Sequence, residues 1–172
     1  MRRIVYLLLI AGAAWLGYHY YQSRQVWEPY TSSQGGFKAE FPEQPQEERQ
    51  SLKTRDGEVE LHVVHARRGS REYAVAYRDY SGDWAEVPAE RRVQALSIGM
   101  LGSGVRVQGS GLIHSNGLEG VEIRYQMPNS TDTITAHVFV RGGRMYMVMV
   151  GTPAFDLWPE DSDRFFDSFK VE

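Results

Sequence analysis

The stretch "GGFKAEFPEQP" (Gly35–Pro45) decides how the rest of the chain is read. Phe37, Ala39 and Phe41 alternate with Lys38 and Glu40, the two-residue period of a strand with one buried face. Two glycines precede the run. Pro42 and Pro45 close it, because proline has no N–H to give to a ladder. A strand that must bury two phenylalanines on one side needs a covering layer, so a packed domain opens here.

Downstream, the same period recurs. "EERQSLKT" and "EVELHVVHA" flank "RDG", a hairpin signal. "REYAVAYRDY" follows the turn "RRGS" and puts Tyr73, Val75 and Tyr77 on one face. "VPAERRVQALSIGMLGSG" then changes period: Val93, Leu96 and Met100 form one stripe, Pro88 stands near its start, and Gly102 and Gly104 suit its end. This predicts a helix from about Pro88 to Leu101. Four more strands follow, "VRVQGSGLIHS", "LEGVEIRYQM", "DTITAHVFVRG" and "RMYMVMVGT", separated by "NG", "PNST" and "GG". "WPEDSDRFFDSFKV" returns to helical spacing through Trp158, Phe165 and Phe169, with Pro159 and the acids suited to a first turn. Strands, helix, strands, helix with hairpin-length connections predict an α+β domain: an antiparallel sheet with helices packed on it.

Upstream, "MRRIVYLLLIAGAAWLGYHYYQSRQ" has no charge from Ile4 to Tyr21. As a helix this run reaches roughly 27 Å, close to the ~30 Å hydrocarbon layer. A cleaved signal peptide would use the small residues of "AGAA" (Ala11–Ala14). A retained anchor would place Tyr18, His19, Tyr20 and Tyr21 at the headgroups, and the continuing apolar run favours that reading. Arg2 and Arg3 put the N-terminus in the cytoplasm. The expectation is a single-pass protein of the cytoplasmic (inner) membrane with a periplasmic C-terminal domain. Residues 1–24 would be the transmembrane anchor, 25–34 a short tether and entry strand, and 35–172 the domain. Ala13 and Gly17 form a small-xxx-small pair near Trp15, a candidate helix-contact face.

Charge and composition narrow the function classes. The chain has 172 residues with 19 basic against 22 acidic, net −3. Arg2, Arg3 and Arg24 fall in the N-terminal segment, so the remainder is more acidic still, which argues against nucleic acid as a partner. Cysteine is absent, which removes disulfides, thiolate nucleophiles and Cys-ligated metals together. No G-x-S-x-G elbow or Walker lysine is present. His62 and His65 lie three apart on a strand and so face opposite ways. Met145, Met147 and Met149 share a strand face and suit Cu(I) in chemistry, but their apolar neighbours make core packing the reading adopted. No catalytic residue, cofactor or metal site is expected. One polar cluster stands out: Arg67, Arg68 and Arg71 crowd a hairpin tip, where they would meet anionic headgroups or an acidic partner.

"GGFKAEFPEQP", "YAVAYRDY" followed by a helix, "GLEGVEIRY", "HVFVRGGRMYMVMV" and "DRFFDSFKV" together resemble the PsbP-like superfamily, named for an extrinsic subunit of photosystem II. The resemblance spans Tyr30 to Glu172. It implies an α-β-α sandwich around an antiparallel sheet, and a non-enzymatic assembly or stabilising role beside a membrane complex. The resulting expectation is an anchored accessory subunit on the outward face of a photosynthetic or respiratory complex. It would touch that complex's subunits, and the lipid bilayer through its N-terminal helix. The alternative is a membrane-anchored periplasmic module that binds a small ligand or metal.

Overall fold

Phe37 to Phe41 forms a strand, and a second strand joins it from upstream. The computed structural model describes residues 11–18, 27–54, 57–79, 87–88, 91, 104–154 and 160–172. Strands β1 (Glu28–Ser32) and β2 (Phe37–Phe41) pair antiparallel from Glu28↔Phe41 to Ser32↔Phe37. Their turn closes because Gly36 takes φ +65°, open to a residue without Cβ, and donates its N–H to the Ser32 carbonyl at 2.8 Å.

The remaining strands follow the predicted runs closely. They are β3 (Gln46–Thr54), β4 (Gly57–Arg68), β5 (Arg71–Asp79), β6 (Arg106–Ser115), β7 (Leu118–Gln126), β8 (Thr133–Arg141) and β9 (Arg144–Thr152). They make one antiparallel sheet in the order β3-β4-β5-β9-β8-β7-β6. Two meanders, β3 to β5 and β6 to β9, meet where β5 pairs with β9 through Val75↔Val148. The hairpins turn on the residues that tolerate positive φ: Asn116–Gly117 (49° and 76°) and Gly142–Gly143 (59° and 80°), the two-residue turn that matches strand twist. A two-residue strand, β10 (Lys170–Val171), adds to the other side of β2 and completes a three-stranded sheet, β1-β2-β10.

Residues 11–18 form helix α1, and Glu160–Ser168 forms helix α2. The three-stranded sheet and α2 cover one face of the seven-stranded sheet. Between them lie Trp27, Phe37, Phe41, Tyr73, Tyr77, Phe139, Tyr146, Phe165 and Phe169, all buried. Edge-on and tilted ring contacts join them, such as Phe41–Phe165 at 5.2 Å and Tyr73–Phe165 at 5.3 Å, geometries that aromatic quadrupoles favour. The other face carries Val121, Ile123, Ala136, Val138 and Met145, with Met147 and Met149 packed against them. Alternation along each strand thus gathers most of the aromatics on one face, together with Val64, Val75, Val148 and Val150, and leaves the other face largely aliphatic apart from Tyr125.

Two expectations are corrected here. The α-β-α sandwich led by a transmembrane helix gives way to a mostly β molecule: two antiparallel sheets and short helices. A strand-based layer, β1-β2-β10, shares with α2 the cover that helices were expected to supply. The cause is Phe37 and Phe41, which already cap the aromatic face. Of the expected helix from Pro88 to Leu101 only Pro88 and Arg91 are described, with the Arg91 N–H donated to the Pro88 carbonyl at 3.0 Å; the rest lies outside the described residues. The inner-membrane, single-pass placement is overturned as well. Among the described residues no helix is long and apolar enough to cross a membrane. A span needs about 20 residues of continuous apolar helix; of the uncharged run, residues 11–18 are described and helical, and the rest lies outside the described residues.

Candidate functional site

The arginine cluster at the β4–β5 tip is the most polar feature that the sequence singles out, and the fold divides it. Arg68↔Arg71 is the last pair of the ladder before the turn at Gly69. Adjacent positions on a strand point to opposite faces, so Arg67 parts from Arg68, while Arg71, paired with Arg68, shares its face. Arg67 stays outside, its side chain 68% exposed and 3.5 Å from Glu72. Arg71 turns inward, where its guanidinium meets Asp161 on α2 at 3.2 Å, with both side chains nearly buried. Arg68 donates to the Pro42 carbonyl at 2.6 Å and lies over the Trp27 ring, 5.4 Å from its centroid.

Trp27 is the centre of this arrangement. It is buried, packs edge-on against Tyr73 at 5.5 Å, and carries a second guanidinium, Arg164, at 5.0 Å. Arg164 also bonds Glu40 of β2 at 3.0 and 2.7 Å. Each cation over a shielded indole contributes about 0.5–2 kcal/mol. The tip of the large sheet, the entry of the chain at Trp27, the end of β2 and α2 are therefore tied at one place. Among the described residues the buried indole Nε1 and Arg68 Nη1 have no hydrogen-bond partner there.

A second tie lies at the opposite end of β2. Arg144 bonds Asp79 at 2.5 and 2.9 Å and the Gln34 carbonyl at 2.7 Å, and lies 5.4 Å from the Tyr77 ring. Tyr146 donates its hydroxyl to the Gly35 carbonyl at 2.9 Å. The Arg144 hydrogen bonds hold the Asp79 carboxyl below its ordinary range, against a smaller effect of burial, and the same contact raises Arg144.

The titratable groups are set for packing. Tyr30 is pushed up to about 12, first by burial and then by its hydrogen bond to Glu47. Burial likewise raises Tyr73, Tyr77, Tyr125 and Tyr146. Phenols raised in this way stay protonated at neutral pH and offer no ready base. His62 and His65 fall on opposite faces, opposite Tyr77 and Ala74 respectively. Among the described residues no three His, Asp or Glu side chains are placed to hold a metal.

His137 is displaced downward from its usual range by burial. It stacks on Phe166 at 3.8 Å, lies 3.3 Å from Glu122, and is lowered chiefly by burial, with Glu122, Asp167 and Asp163 opposing. As pH falls, the unfolded imidazole takes its proton first, near about 6.5. The unfolded state then binds more protons than the folded one, so stability present above that pH declines below it until the folded ring titrates. His137→Gln is expected to reduce the fall in thermal midpoint between about pH 7.5 and 5.5. Equal falls in the variant and the wild-type chain would contradict this.

The remaining sequence candidates lie on α1. Ala13, Trp15 and Gly17 are exposed, and a Cβ at Gly17 would meet nothing within 4 Å. Sequence reasoning missed Trp27, Glu40, Asp79, Arg144 and Arg164 as ties. Their partners are distant in the chain, and an isolated arginine near a hairpin carries no signal of what it will clamp.

No family model and no curated protein matches the chain in sequence. Its fold matches solved structures. One is the solution structure of cyanobacterial PsbP (CyanoP) from Synechocystis sp. PCC 6803, with a TM-score of 0.59 at 13% identity, covering 86% of this chain and 94% of that one. At that identity the likeness is one of backbone architecture: the chain has a PsbP-like fold.

Proposed function

We propose that the chain is a non-enzymatic accessory subunit that stabilises or helps assemble a larger protein complex of a photosynthetic or respiratory membrane. The observation that carries this reading is the PsbP-like fold, which extends over 86% of the chain. The side chains support it. Arg68, Arg71, Arg144 and Arg164 are committed to holding strands and helix together. In this reading the domain is residues 35–172, with its entry strand in 25–34. The outward Arg67 and the exposed Ala13, Trp15 and Gly17 supply contacts to partner subunits.

Purification of the tagged full chain from its native membranes in mild detergent is expected to recover a larger complex at fixed stoichiometry. Arg67→Glu, a reversal at the rim, is expected to weaken that recovery about five- to tenfold, with the thermal midpoint unchanged. A chain that always comes away alone would defeat the proposal.

A further inference from the structure

The β6–β7 hairpin turns on Asn116 and Gly117, and both residues are exposed. A Cβ at Gly117 would meet nothing within 4 Å, and with no side chain of its own the glycine leaves its backbone nitrogen unhindered. That nitrogen follows a side-chain amide directly in the chain, the arrangement from which a five-membered cyclic imide forms.

The Asn116 amide is nevertheless held. Its Nδ2 donates to the Asp167 carbonyl at 2.9 Å and to the Phe169 carbonyl at 2.7 Å. Both amide hydrogens are thereby committed to the end of α2 and to the residue that leads into β10. The Asp167 carbonyl is one of the last four of the helix, which have no intrahelical partner, and the last turn of α2 has no basic residue to meet them. Phe169 is itself a core residue, its ring 5.8 Å from Phe139 and 5.7 Å from Phe37. One side chain in a turn of the large sheet therefore fastens the C-terminal segment.

We propose that Asn116–Gly117 is a deamidation site that the fold holds closed, and that the reaction unfastens the end of α2 from the seven-stranded sheet. Solvent base removes the Gly117 N–H proton, and the nitrogen bonds to Asn116 Cγ. The Cγ–Nδ2 bond breaks, and Nδ2 takes up a proton and leaves as ammonia. Water then opens the cyclic imide. Addition at Cγ restores the main chain with an aspartate, and addition at the backbone carbonyl carbon routes the main chain through the side chain as isoaspartate. One water is consumed and one ammonia released. Both hydrogen bonds must break for Nδ2 to leave, so the folded chain resists the first step.

Neither product can refasten the segment. An ionised carboxylate accepts hydrogen bonds and donates none, so it would face two carbonyl oxygens at the negative end of the α2 dipole. Isoaspartate also adds a carbon to the main chain of a two-residue turn closed by Ser115↔Leu118, whose conformation is matched to strand twist. This inference stands apart from the proposed accessory role and does not depend on it.

The chain has two asparagines, Asn116 and Asn129, so peptide mapping by mass spectrometry reads each separately. The full chain is incubated at mildly alkaline pH, either folded or unfolded in guanidinium. Conversion of Asn116 is expected to be about tenfold slower in the folded chain, the order of factor that two hydrogen bonds supply. Asn116→Asp supplies one product directly. In this variant hydrogen exchange at the amides from Phe166 to Glu172 is expected to quicken about tenfold, with the β4 and β5 amides unchanged. Asn116→Gly removes the donors without adding charge and keeps the turn, so it is expected to quicken the same amides by less. Conversion as fast in the folded chain as in the unfolded one would overturn the proposal. Exchange from Phe166 to Glu172 that is unchanged in both variants would overturn it as well.

Discussion

Phe37→Ala is expected to destabilise the folded chain by about 3–5 kcal/mol, read as a lower urea midpoint. Phe37 is fully buried and stands where the two sheets and the C-terminal segment meet. Its ring lies 5.7 Å from Phe169, 5.9 Å from Tyr77, 6.1 Å from Tyr30 and 6.3 Å from Tyr146. Truncation removes the transfer free energy of a phenyl ring and leaves a void that two ladders hold open, because neither sheet can collapse alone. The neighbouring residue supplies the control. Lys38 points outward to an exposed ion pair with Glu172, so Lys38→Ala is expected to cost under about 0.5 kcal/mol. A Phe37→Ala loss no larger than the control would mean that the small sheet does not share the core.

The second large effect is at Arg71. Replacing it with methionine keeps much of the volume but removes the cation that lies 3.2 Å from the nearly buried Asp161 carboxylate. Breaking such a pair from one side costs about 3–5 kcal/mol. Adding Asp161→Leu to Arg71→Met is expected to restore most of that loss, since the penalty is the uncompensated charge. A full double-mutant cycle in urea, with each single variant, tests this. Single and double variants equally destabilised would show that Arg71 acts through packing alone. The contrast with Arg67, four residues earlier in "ARRGSR", is instructive: the sequence offers similar arginines, and the fold uses them differently.

How much was legible depends on the range of the interaction. Every strand from Gln46 to Thr152 was visible as a strand-like run bounded by turn signals, with "RMYMVMVGT" apolar on both faces, and the turns in "NG" and "GG", because pleat and turn conformation are properties of neighbouring residues. The buried Phe165 and Phe169 were visible as a stripe. The fate of the arginine tip was not. Arg71 and Asp161 are 90 residues apart, and no local pattern couples them. Trp27 was passed over within a polar tether because its burial comes from Arg68, Tyr73 and Arg164, which arrive from elsewhere in the chain.

The opening stretch shows the same division. By itself, "GGFKAEFPEQP" determined a strand with Phe37, Ala39 and Phe41 inward, since side-chain alternation and the lack of an N–H in proline are local facts. Only the tertiary structure decided that this strand lies outside the seven-stranded sheet. It forms a separate layer over the aromatic face, with β1 on one side and the last residues of the chain on the other. A strand's period states that one face must be buried but not against what. The partner is chosen by the long-range packing of Tyr73, Tyr77, Tyr146 and Phe169, and that choice needs the whole chain in place.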